Sequence, residues 1–353
     1  MDVDELPAAA AKAVQEVLRK DSLCALSEAD KKLVWQCREL AVRQPACLPK
    51  VLRSVPWTSA ADVLEGYRLL GRVAMEPLDA IELFESSFAD RRVRAYAARR
   101  MEAMAPDDVL DCLLELTQAV KFEAAHASDL ALFLVRRALE DERVGHMLYW
   151  SLKCDMAYGE SRVRATLLMD AFLRGCNGKR MHFVDQERFV RALRDVAREI
   201  KPMRDSERQR HLVRRLQQLA IPRGLVLPLN QEFHIGSIDV EHCGYKDSSK
   251  LPLYIVLNNA EAGCGQFHMI FKEGDDLRQD CLTLQMIRLM DKMWKAECLD
   301  LEMSPYRTLC VGPTTGLIEV VRDAKTTAEI TKIAGGATAA FKQAPIANWL
   351  RQY

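Results

Sequence analysis

From about residue 8 to residue 220, apolar side chains recur at three- and four-residue steps, as in Leu33, Cys37, Leu40 and again in Val63, Tyr67, Leu70. That is the period of a helix that buries one stripe, so the stretch predicts a run of amphipathic helices. Ser27 with Asp30 three residues on forms a variant of a capping box ahead of Leu33, and Ser59 precedes the run Ala60 to Leu70. Pro45, Pro49, Pro56, Pro77 and Pro106 punctuate the intervals, since proline lacks the N–H that a helix interior needs. Asp90-Arg91-Arg92-Val93 returns as Asp141-Glu142-Arg143-Val144, 51 residues later, each time leading into an apolar helix. The echo is consistent with a stacked helical repeat and equally with two unrelated amphipathic helices.

After Pro222 the pattern changes. PRGLVLPLNQEF and LPLYIVLNN alternate or run apolar over short, β-rich stretches, which predicts strands and a second domain. Leu251 to Asn259, a turn with Gly263 and Gly265, and Phe267 to Lys272 predict a β-hairpin. A helix is expected from about Arg278 to Ala296, with Leu282, Met286, Met290 and Met293 on its apolar side. Tyr306 to Val311 and Leu317 to Val321 are the next strand candidates, joined by the turn residues Gly312 to Gly316.

Composition narrows the function classes. Hydrophobic residues are 49% and charged residues 28% of 353, with 16 Gly and 13 Pro, which excludes a disordered or low-complexity chain. Fifty basic and fifty acidic side chains give zero formal charge, so no nucleic-acid partner is expected from bulk charge. The basic stretch Arg204 to Arg215 is interleaved with Asp205, Glu207, Leu212 and Leu216 and reads as a solvated helix face. Eleven scattered cysteines, none at a two-residue spacing, predict reduced thiols packed as small hydrophobes, and the dispersed histidines suggest no metal site. The apolar runs fall far short of the roughly 20 residues of a membrane span, and MDVDELPAAAAKAV has no basic region before an apolar one. A cytoplasmic location is expected.

The segment Ile270-Phe271-Lys272-Glu273-Gly274-Asp275-Asp276-Leu277-Arg278-Gln279-Asp280 carries the chemistry. A lysine ending an apolar strand, then a turn, then a helix with an acid on its first turn is the arrangement a phosphotransferase uses to hold nucleotide phosphates. An ammonium is a point charge that reaches phosphate oxygens without a fork geometry. Lys272 is the candidate, and Asp280 could orient it. As isolated residues, Lys272 is equally an edge-strand charge and Asp275 and Asp276 equally helix caps.

The run FKEGDDLRQDCLTLQMIRLMDKMWKAECLDLEMSPYRTLCVGPTTGLIEVV closely resembles the catalytic domain of phosphoinositide 3-kinases. Its core GDDLRQD is shared with phosphoinositide 4-kinases and the related large protein kinases, while LDLEMSPY and GLIEVV resemble class I phosphoinositide 3-kinases most. Upstream, LVWQCRELAVRQPACLPKVLRSVPWTSAADV, FADRRVRAYAARRME and ALEDERVGHMLYWSLKCDM resemble the helical domain of that family. The resemblance runs from about Leu26 to Tyr353. It implies an α+β fold, with an all-α, HEAT-like helical-repeat domain followed by a kinase-like small lobe (antiparallel sheet plus helix) and the start of the large lobe. The expected boundaries are a lead-in at 1–25, the helical domain at 26–205, small lobe and hinge at 206–321, and the beginning of the large lobe at 322–353.

Carried over position by position, the resemblance implies that Tyr245, Lys246, Asp247, Ser248, Ser249, Lys250 and Leu251 form the phosphate loop, with Ser248 and Lys250 nearest the phosphates. Lys272 and Asp280 then serve the nucleotide, and Ile270 and Ile318 sandwich adenine. Glu319 offers a backbone carbonyl and Val321 a backbone N–H on either side of Val320, and Tyr306 lines the inner pocket beside Asp280. The aliphatic positions are equally core residues. The family commonly has methionine where this chain has Lys246 and tryptophan where it has Tyr254, which implies a more polar pocket rim. Glu28 falls where class I enzymes carry an acid that touches their regulatory adaptor subunit, and it is equally an ordinary first-turn acid.

The implied activity is transfer of the ATP γ-phosphate to the 3-hydroxyl of inositol phospholipids, with ATP and Mg²⁺ as cofactors and transient recruitment of a peripheral protein to membranes. The 32 residues after Val321 contain no Asp-Arg-His or Asp-Phe-Gly element. Catalytic residues and Mg²⁺ ligands are therefore expected outside this sequence, the sequence is expected to be a portion of a longer kinase, and the 353 residues alone are expected to be inactive. The alternative is a short non-catalytic helical scaffold or decoy that binds kinase regulators. A protein kinase of the related large family is disfavoured by GLIEVV.

Overall fold

Helices begin where short polar side chains take up orphan N–H groups. Ser27 Oγ accepts from the Asp30 N–H, and the Asp30 carboxylate accepts from the Ser27 N–H at 3.1 Å, so the expected capping box opens helix Glu28–Gln36. Ser59 caps helix Ala60–Arg72. Asp90 accepts from Arg92 and Val93, and Asp141 from Arg143 and Val144, opening helices Arg91–Met101 and Glu142–Asp155. The 51-residue echo thus marks one cap geometry used twice. The computed structural model describes residues 8–176, 178–333 and 344–352.

The helices stack in sequence: Arg91–Met101 against Asp129–Glu140, that helix against Glu142–Asp155, and that against Arg162–Gly175. Trp150 and Phe133 are fully buried between them. Residues expected to form a lead-in belong to the stack: helix Ala8–Arg19 buries Val14 and Val17, and the Lys50 ammonium donates to the carbonyls of Leu18 and Lys20 at its end. All eleven cysteines are free thiols. Among the described residues no helix is long and apolar enough to cross a membrane.

Among the described residues seven short strands follow: β1 (Val226–Leu227), β2 (Asn230–Ile238), β3 (Gly244–Tyr245), β4 (Leu253–Asn259), β5 (Gln266–Glu273), β6 (Thr308–Gly312) and β7 (Thr315–Glu319). They pair antiparallel in the order β1-β2-β4-β5-β7-β6, with β3 on β4. Helix Arg278–Ala296 links β5 to β6. The last two strands lie differently from expectation. Thr315 and Gly316, read as turn residues, pair with Glu273 and Lys272, so the turn shrinks to Pro313-Thr314. Tyr306 then precedes β6, and Val320 and Val321 follow β7.

The apolar side read for helix Arg278–Ala296 faces outward. Leu282, Met286, Met290 and Met293 are 43–69% exposed, whereas Leu284 and Gln285 are buried. Gln285 Nε2 donates to Glu115 at 2.6 Å, and Lys292 pairs with Asp108 and Asp111. Polar side chains therefore hold this helix to the helical stack.

The two regions share one continuous core. His146 Nε2 lies 2.7 Å from the carbonyl of Pro228, and Gln186 Nε2 donates to the carbonyl of Val226. Burial pushes His146 down to about 4, against the smaller opposing pull of the Pro228 carbonyl. The unfolded chain then binds a proton that the native state refuses, so stability falls as pH drops below about 6.5. We expect a loss of about 2 kcal/mol between pH 7 and pH 5 from this group. Urea unfolding at both pH values, compared with His146→Gln, measures it; an equal loss in the variant would assign the effect elsewhere.

Candidate functional site

The site is built on β5, whose side chains alternate between two faces. Phe267, Met269 and Phe271 are buried in the core, which leaves His268, Ile270 and Lys272 on the opposite face. Tyr254 on β4 and Ile318 on β7 stand directly across from Ile270, and Gly316 stands across from Lys272. Direct cross-strand partners share a face. Tyr254, Ile270 and Ile318 thus form a half-buried wall with Lys272 at its end. Ile270 and Ile318, expected to sandwich adenine, stand side by side on one sheet face, so the two would meet the same side of a ring.

Lys272 is placed by the turn that follows it. Gly274, at φ +84°, and Asp275 both donate their N–H to the carbonyl of Thr314, at 2.7 and 3.0 Å. A side chain would be strained at that φ. Lys272 Nζ then reaches Asp275 Oδ2 at 3.1 Å. The acid that meets the ammonium here is Asp275 and not the expected Asp280, because the turn brings the i+3 carboxylate back over the strand end. Asp280 lies in the first turn of helix Arg278–Ala296. Asp276, just ahead of that helix, accepts from the N–H of Arg278, whose guanidinium also bonds its carboxylate and holds it below the usual carboxylate range. The Arg278 guanidinium lies 4.3 Å from the Tyr158 ring centroid, which ties the helix start to the helical stack. Gly316 permits the close seating of Leu277: a Cβ there would stand 2.2 Å from Leu277 Cδ1.

The residues expected to form a phosphate loop divide into two kinds. Lys246, Asp247, Ser248, Ser249 and Lys250 are exposed, on a loop closed by Leu251 N–H to Ser248 O at 3.1 Å and Lys246 N–H to Pro252 O at 2.9 Å. Tyr245 and Leu251 point the other way: Leu251 is buried at φ +48°, and Tyr245 packs against the core beneath Arg208. These two hold the loop and do not face solvent with it. Lys246 Nζ sits 5.2 Å from the Tyr254 ring, and Tyr254 Oη is 2.8 Å from His268 Nδ1, so the two departures from the family pattern touch one another.

Beyond β7, the Val320 N–H donates to the carbonyl of His268, while Val321 is exposed. The Glu319 side chain is occupied by Arg307, accepting from its backbone N–H and its guanidinium. Tyr306 is half-buried just before β6. Far from the wall, the Glu28 side chain is 89% exposed and pairs with Lys31 at 2.7 Å.

Sequence reading missed two acids. For Asp275 the only role offered was the alternative of a helix cap, although its i+3 spacing from Lys272 was the available signal. Glu273 carried no local signal, because its arginine partners lie 75 or more residues upstream and Thr315 lies 42 residues downstream.

Residues 2–185 match the model of the phosphoinositide 3-kinase family accessory domain (PIK domain), and residues 266–349 match that of phosphatidylinositol 3- and 4-kinase. Phosphatidylinositol 3-kinase 1 of Dictyostelium discoideum is 38% identical over 96% of this chain and 22% of its own length. Phosphatidylinositol 3-kinase 2 of the same organism is 37% identical over 100% and 19%. The human phosphatidylinositol 4-phosphate 3-kinase C2 domain-containing subunit beta is 34% identical over 96% and 21%. The chain spans about a fifth of the length of these curated relatives.

Proposed function

Since the chain belongs to the phosphoinositide 3-kinase family, we propose that its strand wall and Lys272 form the nucleotide-holding part of a lipid kinase that transfers the ATP γ-phosphate to the inositol 3-hydroxyl. The observation that carries this reading is the juxtaposition of a half-buried lysine with an aliphatic wall on one sheet face. An ammonium at the end of that wall meets phosphate oxygens when an adenine lies flat on Ile270 and Ile318. Asp275 holds the ammonium until phosphate replaces it, and Asp280 and Tyr306 border the inner end. Backbone groups of Glu319 and Val321 flanking Val320 would meet the adenine edge, and exposed Ser248 and Lys250 would close on the phosphates.

Mg²⁺ would come with the nucleotide phosphates, and no step through it is assigned to the residues named here. Positioning phosphates without the attacking hydroxyl's base gives little rate. The 353 residues alone are therefore expected to phosphorylate lipid no faster than their Lys272→Ala variant. The 89% exposed Glu28 side chain is open to a cationic surface of a regulatory adaptor, and membrane recruitment would be peripheral.

The test uses the complete native protein, radiolabelled ATP and vesicles carrying phosphatidylinositol or its 4-phosphate, with the product identified by chromatography of the deacylated headgroups. Label at the 3-position supports the reading; label only at the 4-position, or none, overturns it.

A further inference from the structure

Glu273 follows Lys272 on β5, so its side chain leaves the opposite face of the sheet. There it meets the helical region. Arg198, on helix Arg180–Ile200, donates Nε and Nη2 to Glu273 Oε1 at 2.8 and 2.6 Å. Arg194, one turn earlier, brings Nε to 3.6 Å from Oε2, and that buried Nε has no hydrogen-bond partner among the described residues. Thr315 Oγ1 donates to the same Oε2 at 2.6 Å, joining β7 to the cluster. Arg194 also reaches the β6–β7 turn, with Nη2 3.2 Å from where a Gly312 Cβ would stand. That turn supplies the Thr314 carbonyl that binds the N–H groups of Gly274 and Asp275.

Both turns that place Lys272 are therefore gripped by one helix of the helical region. The Glu273 side chain is only 13% exposed, so its charge is poorly screened and depends on these arginines. Resting on the reading of Lys272 given above, we infer that Arg198 and Arg194 are positioning residues for the nucleotide lysine, acting through Glu273 and the β6–β7 turn. Helix Arg180–Ile200 then does more than support the sheet: a shift of that helix along its axis moves the end of β5 and changes where the ammonium meets phosphate. Interaction between the two regions is thereby written into nucleotide affinity.

The test measures KM for ATP, kcat and melting temperature in the complete native protein. Arg198→Glu places two carboxylates together, which Arg194, with its Nε 3.6 Å from Oε2, offsets only in part. KM for ATP is expected to rise about fivefold with kcat changed less than about twofold. The charge-reversed pair Arg198→Glu with Glu273→Arg is expected to recover part of the loss in KM, since Arg194 then faces a guanidinium, with Arg198→Lys intermediate. A purely structural contact would lower melting temperature and active fraction while leaving KM unchanged, and that result overturns the inference. So does a double variant no better than the single one. Lys272→Ala is measured alongside: if it leaves KM and kcat intact, the nucleotide reading fails first and the positioning role falls with it, whereas an inactive Lys272→Ala beside an unaltered Arg198→Glu defeats the positioning role alone.

Discussion

Lys272→Ala is expected to reduce kcat/KM for ATP-dependent lipid phosphorylation by the complete protein about 10²- to 10³-fold, the usual cost of removing one preorganised charge from a transferring phosphoryl group. The reason is positional. The ammonium stands at the end of the Ile270–Ile318 wall, on a turn fixed by two N–H bonds to Thr314, so it meets phosphate by exchanging Asp275 alone. Lys272→Arg is not expected to rescue activity, since a planar fork cannot occupy the place of a compact point charge on this short turn. Stability should change by less than about 1 kcal/mol, because the ion pair lost, with Asp275, is partly exposed on both sides. Steady-state kinetics with varied ATP, together with a melting curve, separates the two effects. A variant retaining more than about a tenth of wild-type kcat/KM would refute the assignment.

Arg94→Met is the largest stability change we expect, about 3–5 kcal/mol. Arg94 and Glu123 have side chains only 3% and 5% exposed and meet at 2.6 Å. The other guanidinium donors reach the carbonyls of Phe84, Glu85, Phe88 and Ala119 at 3.0–3.3 Å. Removing the cation strands a buried carboxylate and takes a donor from four carbonyls, of which that of Glu85 keeps the Phe88 N–H. Melting should fall by about 5 °C. Arg94→Met with Glu123→Leu should recover part of the loss, because no unpaired charge then stays inside. Circular dichroism of the three variants and wild type measures this. A loss below about 1 kcal/mol in Arg94→Met would show that water reaches the pair.

These two cases differ in how visible they were. Lys272 stands out because strand, turn and helix signals flank it within ten residues, and the GDDLRQD run adds a family resemblance. Arg94 does not stand out. It sits in RRVRAYAARR, where five arginines alternate with small and aromatic residues and nothing local says which one turns inward. That choice follows from where Phe84, Phe88 and Ala119 place their carbonyls.

Local sequence set the element types and most of their limits: the caps at Ser27 and Ser59, the hairpin of β4 and β5, and helix Arg278–Ala296, whereas Asp90 and Asp141 stood out only as an echo. Those signals are local, resting on backbone N–H groups within three residues and on side-chain periodicity. Tertiary structure alone decided which face of that helix is covered, where Ile270 and Ile318 stand relative to each other, and which acid meets Lys272. Leu282, Met286, Met290 and Met293 form the apolar stripe, yet the helix is fastened by Gln285 and Lys292 to acids about 170 to 185 residues away. Likewise Glu273 is held by arginines that no short window contains. Strand register and long-range ion pairing depend on how separate elements dock, and periodicity within one element carries no information about its neighbour's charge.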